Sequence, residues 1–341
     1  VGKRYGNPYI SIVPVYEFVG NPLVSVIIPV YNGEDYIQEA IESVLIQNYR
    51  NFELIIINDG STDRSEEIIK SFEDEHIRYF HQENKGVSAA HNAGIRLARG
   101  EFIIKLDVDD VMAIDNISKS LEKFKTNPDA DMVYCNDLLA DSNGKPDRLL
   151  ARKEFSDNNI LIRDLFRCGY PVVAPRSACM RKEVYEKIGR FDESLRIAED
   201  YDLIRRFVKA GLKAVHLNEA LYLRRLTENS LSRTYCRENA NYHFEVVRRF
   251  IDTFSFEELF PDVEWGKIPE EMKEIHGRCM AALTCIAIGQ NYVKCKLQDY
   301  ADAAFEVAME QLDICHQIDP NNARVNELLK KCRALSGKQF A

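Results

Sequence analysis

Cations are the scarcer charge in this chain: 45 Lys and Arg stand against 54 Asp and Glu, leaving a formal charge of -9. A nucleic-acid grip needs surplus cations to displace counterions from phosphates, so a chain-wide one is excluded, as is broad attachment to an anionic membrane. Long apolar runs are missing too. The longest, Leu23 to Val30 and Cys279 to Gly289, fall far short of the roughly 20 residues that span a bilayer. The first twenty residues mix Lys3, Arg4, Pro8, Pro14 and Glu17 without a continuous apolar core, so no signal peptide is expected. Several catalytic signatures are absent as well. No Gly-x-Gly-x-x-Gly follows the first strand pattern, and neither a Gly-x-x-x-x-Gly-Lys-Ser/Thr loop, nor His-Glu-x-x-His, nor Gly-x-Ser-x-Gly occurs. Dinucleotide-binding, P-loop, zincin and serine-hydrolase chemistries lack their parts.

Zinc spacing is also missing. The nine cysteines form no Cys-x-x-Cys pair and no Cys/His cluster, and several lie inside apolar helical patterns, where a thiol acts as a small hydrophobe. Reduced core cysteines in a cytoplasmic protein are the expectation. With 45% hydrophobic and 29% charged residues over 341 positions, there is ample material for a buried core and for more than one domain.

What is present reads as strand and helix in alternation. Leu23 to Val30 is a β-branched run with the pattern of a buried strand, followed by helical periodicity over Glu34 to Gln47. Phe52 to Ile57, Ile77 to Phe80 and Phe102 to Leu106 repeat the strand pattern, with helices expected from near Thr62 and over Val87 to Ala98. This order predicts an α/β domain with a mainly parallel sheet. Further on, helices are expected over Asp115 to Lys125, Lys182 to Ile188 and Glu199 to Ala210. Short strands are expected over Asp131 to Cys135, Ser177 to Met180, Lys213 to Leu217 and Leu221 to Leu223. From about Tyr235 the texture changes to long Ala-rich helical patterns over Glu270 to Tyr292, Gln298 to Ile318 and Asn321 to Leu335. The segment Asp299-Tyr-Ala-Asp-Ala-Ala-Phe, ending in Ile318-Asp-Pro-Asn-Asn322, resembles a tetratricopeptide hairpin, although its second helix is too long for a standard repeat. The expected division is an N-terminal extension (1–21), an α/β domain (22–234) and a helical C-terminal region (235–341).

Two groups of acids follow directly on strand patterns: Asp59, and Asp107 to Asp110. In an open α/β sheet, ligands bind outside the carboxyl ends of the strands, so these acids and Pro29-Val-Tyr-Asn32 share one edge if the strands are parallel. Carboxylates crowded on one edge repel each other. A divalent cation held by oxygen ligands, its shell completed by substrate phosphates, relieves that repulsion.

Four segments, in order, look like the motifs of family 2 glycosyltransferases: Val24-Ser-Val-Ile-Ile-Pro-Val-Tyr-Asn32, Ile57-Asn-Asp-Gly-Ser-Thr-Asp63, Glu83-Asn-Lys-Gly-Val-Ser-Ala-Ala-His-Asn-Ala-Gly94 and Leu106-Asp-Val-Asp-Asp110. The resemblance covers roughly Pro22 to Ser232. It implies a GT-A fold, an inverting mechanism and a nucleotide-diphosphate sugar donor, most often a UDP-sugar, with Mn2+ or Mg2+ as cofactor. Carried over by position, Pro29, Val30 and Tyr31 line the base pocket with Glu34 nearby, and Asp59 bonds the base or ribose. Lys85, Asn92 and Gly94 fall in the segment that closes over the nucleotide. Asp107 and Asp109 form the Asp-x-Asp pair, Asp109 being the metal ligand, with Asp110 close enough to share or replace that role. Ala198-Glu-Asp-Tyr-Asp202 resembles the family's Glu-Asp motif, which makes Asp200 the catalytic base.

The chain departs from the pattern at two places. His91 stands where the family often has Arg, which implies a weaker or pH-dependent charge near the nucleotide. Thr227 stands where many members have His before a Ser-x-Ser element; Arg224 or Arg225 is the candidate substitute charge. Partners implied are the sugar donor and a glycan, lipid-linked or protein acceptor, as in polysaccharide biosynthesis, and no nucleic acid. For the helical tail the candidates are packing on the α/β domain, a homo-oligomer interface and acceptor-carrier binding. The stretch Tyr235 to Phe256, with Phe244, Val247 and Phe250 near Arg248 and Arg249, is a candidate for peripheral membrane contact. Two alternatives compete: a decayed nucleotide-sugar-binding scaffold acting through its tail, and a sugar-phosphate nucleotidyltransferase. Intact Asp59, Asp-x-Asp and Glu-Asp motifs argue against the first. The lack of a glycine-rich basic loop after the first strand argues against the second.

Overall fold

The computed structural model describes residues 20–155, 157–168, 172–173, 175–227 and 237–336. Among them nine strands form one mixed sheet. Strands β1 (Val24–Val30), β2 (Phe52–Asp59), β3 (Ile77–Gln82) and β4 (Phe102–Lys105) run parallel in the order β3-β2-β1-β4, joined by α1 (Ile37–Leu45), α2 (Ser65–Lys70) and α3 (Val87–Leu97). β1 and β2 are rich in Val and Ile and buried along their whole length, as strands covered by helices on both faces must be. Because all four point the same way, the loops that follow β1, β2 and β4 meet at one edge.

The chain continues through β5 (Val111–Met112), α4 (Asn116–Thr126), β6 (Met132–Ala140), β7 (Pro146–Leu150) and α5 (Asn158–Cys168). A single 3-10 turn, Pro175–Ser177, then feeds β8 (Ala178–Arg181), α6 (Lys182–Ile188), α7 (Glu199–Lys209) and β9 (Ala214–Arg225). β8 is antiparallel to both β4 and β6, and β9 is parallel to β6, which extends the sheet as β4-β8-β6-β9-β5. The two short strands expected around Leu217 and Leu223 are one strand. Its register with β6 slips between Cys135 and Asp137, so polar Asn218 and Glu219 sit in an irregularity rather than at a strand end.

The C-terminal helices are α8 (Arg237–Thr253), α9 (Phe256–Leu259), α10 (Glu270–Lys294), α11 (Gln298–Ile318) and α12 (Ala323–Ser336). Close packing depends on two glycines. A Cβ at Gly277 would lie 2.1 Å from the Phe256 ring, and one at Gly289 would lie 2.7 Å from Phe305. One apolar cluster runs from Ile27 and Ile55 of the sheet through Phe207 and Phe250 to Phe305 and Cys332, so the core is continuous across residue 235. Phe244, Val247 and Phe250 are fully buried, Arg248 pairs with Glu310, and Arg249 pairs with Asp192. The apolar face of α8 therefore points inward, and the candidate membrane contact is not supported. No helix among the described residues is long and apolar enough to cross a membrane.

Candidate active site

The loop after β1 is held by the loop after β2. Asn32 adopts a left-handed conformation (φ 50°), which Asn tolerates better than most residues, and turns the chain sharply at the end of β1. Its Oδ1 accepts from the Thr62 N–H (2.8 Å), its own N–H donates to Ser61 Oγ (3.1 Å), and the Gly33 N–H donates to Ser65 Oγ (2.9 Å). Glu34 completes the weave: its N–H donates to Asp63, and its carboxylate accepts the Arg64 N–H at 3.0 Å. Gly33 also allows the Asp107–Asp110 loop to approach, since a Cβ there would meet Val108 Cγ2 at 2.6 Å. Pro29 and Val30 have their side chains in the sheet's interior, whereas Tyr31 is 53% exposed at the rim.

Asp59, at the carboxyl end of β2, is 3% exposed and anchors the next loop. Its Oδ1 accepts from Gln82 Nε2 (2.7 Å) and the Lys85 N–H (2.9 Å), and its Oδ2 accepts from the Gly86 N–H (2.8 Å). Oδ2 keeps a second lone pair. Lys85 thus enters through its backbone while its side chain is exposed.

α3 carries residues that tie elements together. The Asn92 side-chain amide donates to Phe191 O (2.9 Å) and Glu193 Oε1 (2.8 Å), and its Oδ1 accepts the Phe191 N–H at 2.9 Å. Those bonds fasten α3 to the loop ahead of α7. Gly94 lies against β1: a Cβ would come within 2.3 Å of Ile27 Cγ2. His91 is buried against the Phe191 ring, and burial, with Lys105 nearby, holds its pKa well below the usual histidine value. Burial thus favours its neutral imidazole.

The acids after β4 form the centre of the edge. Asp107 and Asp109 are partly exposed, and Asp110 is buried. Burial and the neighbouring Asp107 push Asp109 up to about 6, and burial with both neighbours raises Asp110 well above the carboxylate range. Asp110 Oδ1 accepts the Arg225 N–H at 2.9 Å, and the Asp107 N–H donates to the buried Tyr222 hydroxyl at 3.3 Å. Arg224 and Arg225 are adjacent on β9 and so project to opposite faces. The Arg225 guanidinium turns to Glu39 Oε2 (2.6 Å) and over the Tyr36 ring, whereas Arg224 lies in the combined field of Arg176, Asp110, Asp137 and Asp107. Both candidate cations act on Asp109, Arg225 more strongly than Arg224.

The Glu-Asp motif opens α7 from a strained start, Ala198 being left-handed at φ 64°. The motif's four positions divide by direction. Tyr201 is fully buried, donates to Leu165 O (3.0 Å) and stacks on Phe250. Asp202 binds Arg205 (2.9 Å), Arg206 (2.8 Å) and Arg249 (3.3 Å), locking α7 to α8. Glu199 and Asp200 lie within electrostatic reach of Lys105, and Glu199 also feels Asp107. Burial, then Asp200, pushes Glu199 up to about 7. Asp200 Oδ2 stands 3.5 Å from Arg176 Nη2, and Arg176 in turn feels Asp107 and Asp110. Two motifs some ninety residues apart in sequence therefore lie within one another's electrostatic field.

A divalent cation suits this donor set. Hard carboxylate oxygens are its preferred ligands, and acids whose pKa values rise through burial and mutual repulsion are relieved by it. The protein's share of the shell is partial: among the described residues no group of three or more His, Cys, Asp or Glu is placed to hold a metal. Asp109 with Asp107 would supply part, and phosphate oxygens and water the rest. Asp110 is the poorer ligand because its carboxylate is buried and already accepts a backbone N–H. Sequence reasoning missed Lys105 and Arg176. Lys105 had a signal, a lone cation in the apolar strand Phe102-Ile-Ile-Lys-Leu106; Arg176 lies in an irregular stretch with none.

The profile of Glycosyl transferase family 2 matches residues 25–189. Glycosyltransferase GlyG of Streptococcus pneumoniae serotype 4 is 33% identical over 245 residues, covering 68% of this chain and 78% of that protein. An uncharacterized glycosyltransferase of Rickettsia typhi is 36% identical over 198 residues, 56% of this chain; the chain spans 60% of that relative's length. Among solved structures, Staphylococcus aureus TarS (residues 1–349, with UDP-GlcNAc) is similar at a TM-score of 0.55 and 18% identity, over 82% of this chain and 90% of that one. A Pyrobaculum calidifontis mannosyltransferase with GDP-Man and Mn2+ is similar at a TM-score of 0.52 and 18% identity, over 93% of this chain and 81% of that one. The chain belongs to glycosyltransferase family 2 and has the GT-A fold.

Proposed function

We propose that the protein is a metal-dependent inverting glycosyltransferase that moves one sugar from a nucleotide-diphosphate sugar, a UDP-sugar first among the candidates, to a hydroxyl of a glycan, lipid-linked or protein acceptor. The observation that carries this is the meeting of Asp200 with the Asp107–Asp110 cluster through Arg176, within 3.5 Å of the first and in the field of the second. Inverting transfer is a single displacement. The acceptor oxygen attacks the anomeric carbon, the bond to the diphosphate breaks on the opposite side, and a carboxylate takes the acceptor proton. Asp200 is the group for that proton, since it opens α7 with an ionised partner beside it. Tyr31, exposed at the rim, offers a ring for the base, and Asp59 Oδ2 has a lone pair for a base or ribose donor. Asp107 and Asp109 would hold Mn2+ or Mg2+, which when bound neutralises charge developing on the leaving diphosphate. Arg225 and Arg224 add fixed positive charge near the same acids.

Melting of the protein with UDP, GDP, CDP and dTDP, each with and without Mn2+, tests this for wild type and Asp109→Asn. A ligand at a hundred times its Kd adds about 2.7 kcal/mol by mass action, roughly 4 °C in Tm for a chain of this size. One nucleotide is expected to stabilise only with metal, and Asp109→Asn to abolish the shift. Folded protein that responds to none of the eight conditions overturns the proposal.

A further inference from the structure

The geometry points to Arg176 as a positioning residue for the acceptor-side base: its guanidinium holds the Asp200 carboxylate aimed while tying it to the Asp107–Asp110 loop. This rests on the reading of Asp200 as that base.

Arg176 is well placed for such a role. It sits in the 3-10 turn Pro175–Ser177, where proline fixes one backbone angle, and that turn packs against β4, β6 and α7 at once. Nη2 lies 3.5 Å from Asp200 Oδ2, and among the described residues Nε is buried without a partner. The charged and titratable groups around it come from three directions. Asp200 lies on α7, Asp107 and Asp110 in the loop after β4, and Tyr222 on β9; Arg224, also on β9, and Lys105 on β4 are the like charges.

Charge balance makes the role necessary. Asp200 adjoins Glu199 and lies in the same field as Asp107. A carboxylate crowded by others takes up a proton or turns toward water unless a cation faces it. Lys105 does not make that pair, since its ammonium lies over the Phe191 ring, 4.4 Å from the centroid. Arg176 does, and its planar fork limits the directions in which the carboxylate oxygens point. A contact to the leaving diphosphate is the competing role. Arg225 and Arg224 both act on Asp109 at that end, whereas among the described residues the one ion pair of Arg176 is with Asp200.

A mutant cycle separates the two roles. Turnover is followed as release of UDP from UDP-N-acetylglucosamine with Mn2+, water serving as acceptor; where the melting panel selects another base, the matching nucleotide sugar is used. Arg176→Met is expected to lower kcat roughly ten- to a hundredfold, within the range for a mishandled proton transfer, while donor KM stays within about twofold. Arg176→Lys should recover part of the loss. In an Asp200→Asn background, adding Arg176→Met should change nothing, because the residue acts through Asp200. A raised KM at unchanged kcat, or losses that multiply in the double variant, would overturn the inference. Should Arg176→Met fail to show the nucleotide-dependent Tm shift of a folded site, Arg176→Lys carries the same cycle. An Asp200→Asn enzyme with wild-type turnover removes the base reading itself; an inactive Asp200→Asn beside a normal Arg176→Met removes only the role of Arg176.

Discussion

Glu199 is held in an acid state by its surroundings, and that has a measurable cost. Its folded pKa is pushed up from 4.5 to about 7 by burial and then by Asp200, against the pull of Lys105. In the unfolded chain the group titrates near its ordinary value. Between about pH 4.5 and pH 7 the folded protein therefore binds more protons than the unfolded one, and stability falls as pH rises through that window. The full displacement corresponds to roughly 3 kcal/mol. Part of the side chain reaches solvent, which screens it, so about 1–2 kcal/mol is the expected share. Asp109 and Asp110 are also raised and add to the slope in the wild type, so the difference between wild type and Glu199→Gln isolates the one group. Urea unfolding at pH 5 and pH 8, without metal or nucleotide, is the assay. Glu199→Gln should gain about 1–2 kcal/mol on the wild type in going from pH 5 to pH 8, or some 2 °C in Tm. A wild type and variant whose difference in stability is the same at both pH values would refute the reasoning.

Gly94→Ala places a Cβ 2.3 Å from Ile27 Cγ2 and should destabilise by about 1–3 kcal/mol through overpacking, with Ile27→Val recovering part of it in urea melts. Tyr201→Phe leaves the Leu165 carbonyl without its donor and should cost about 1–2 kcal/mol, with the nucleotide-dependent Tm shift unchanged because the hydroxyl faces α5. Asp59→Asn sets an amide where three donors converge. It should weaken nucleotide binding at least tenfold by calorimetry and loosen the Glu83–Gly86 loop, seen as faster amide exchange at Lys85 and Gly86.

Much of this protein follows from local pattern. The β-branched runs, the helix periodicities between them and the acids that end β2 and β4 are contiguous in the chain, so a strand and the loop at its end are read together. The parallel order then places those loops on one edge whatever the details of packing, which is why Tyr31, Asp59, Asp107 and Asp109 were legible as a group. The bounds of α7 and the helical nature of the C-terminal region were legible for the same reason: each depends on residues three or four apart.

Tertiary structure decided which way the side chains within a motif turn, and who meets them. Asn92 and Gly94 share a segment with Lys85, yet one ties α3 to the loop before α7 and the other admits β1, because their partners Phe191 and Ile27 lie 99 and 67 positions away. The acids of α7 are adjacent, but Asp202 is taken by three arginines while Asp200 is left to Arg176, a division set by the helix's rotation against α8. His91 favours its neutral form because Phe191 and the sheet remove it from water. The second strand candidate merged with the first because β6 paired through the irregularity. In each case the deciding energy is a contact between distant elements, and spacing along the chain carries no record of which distant element arrives.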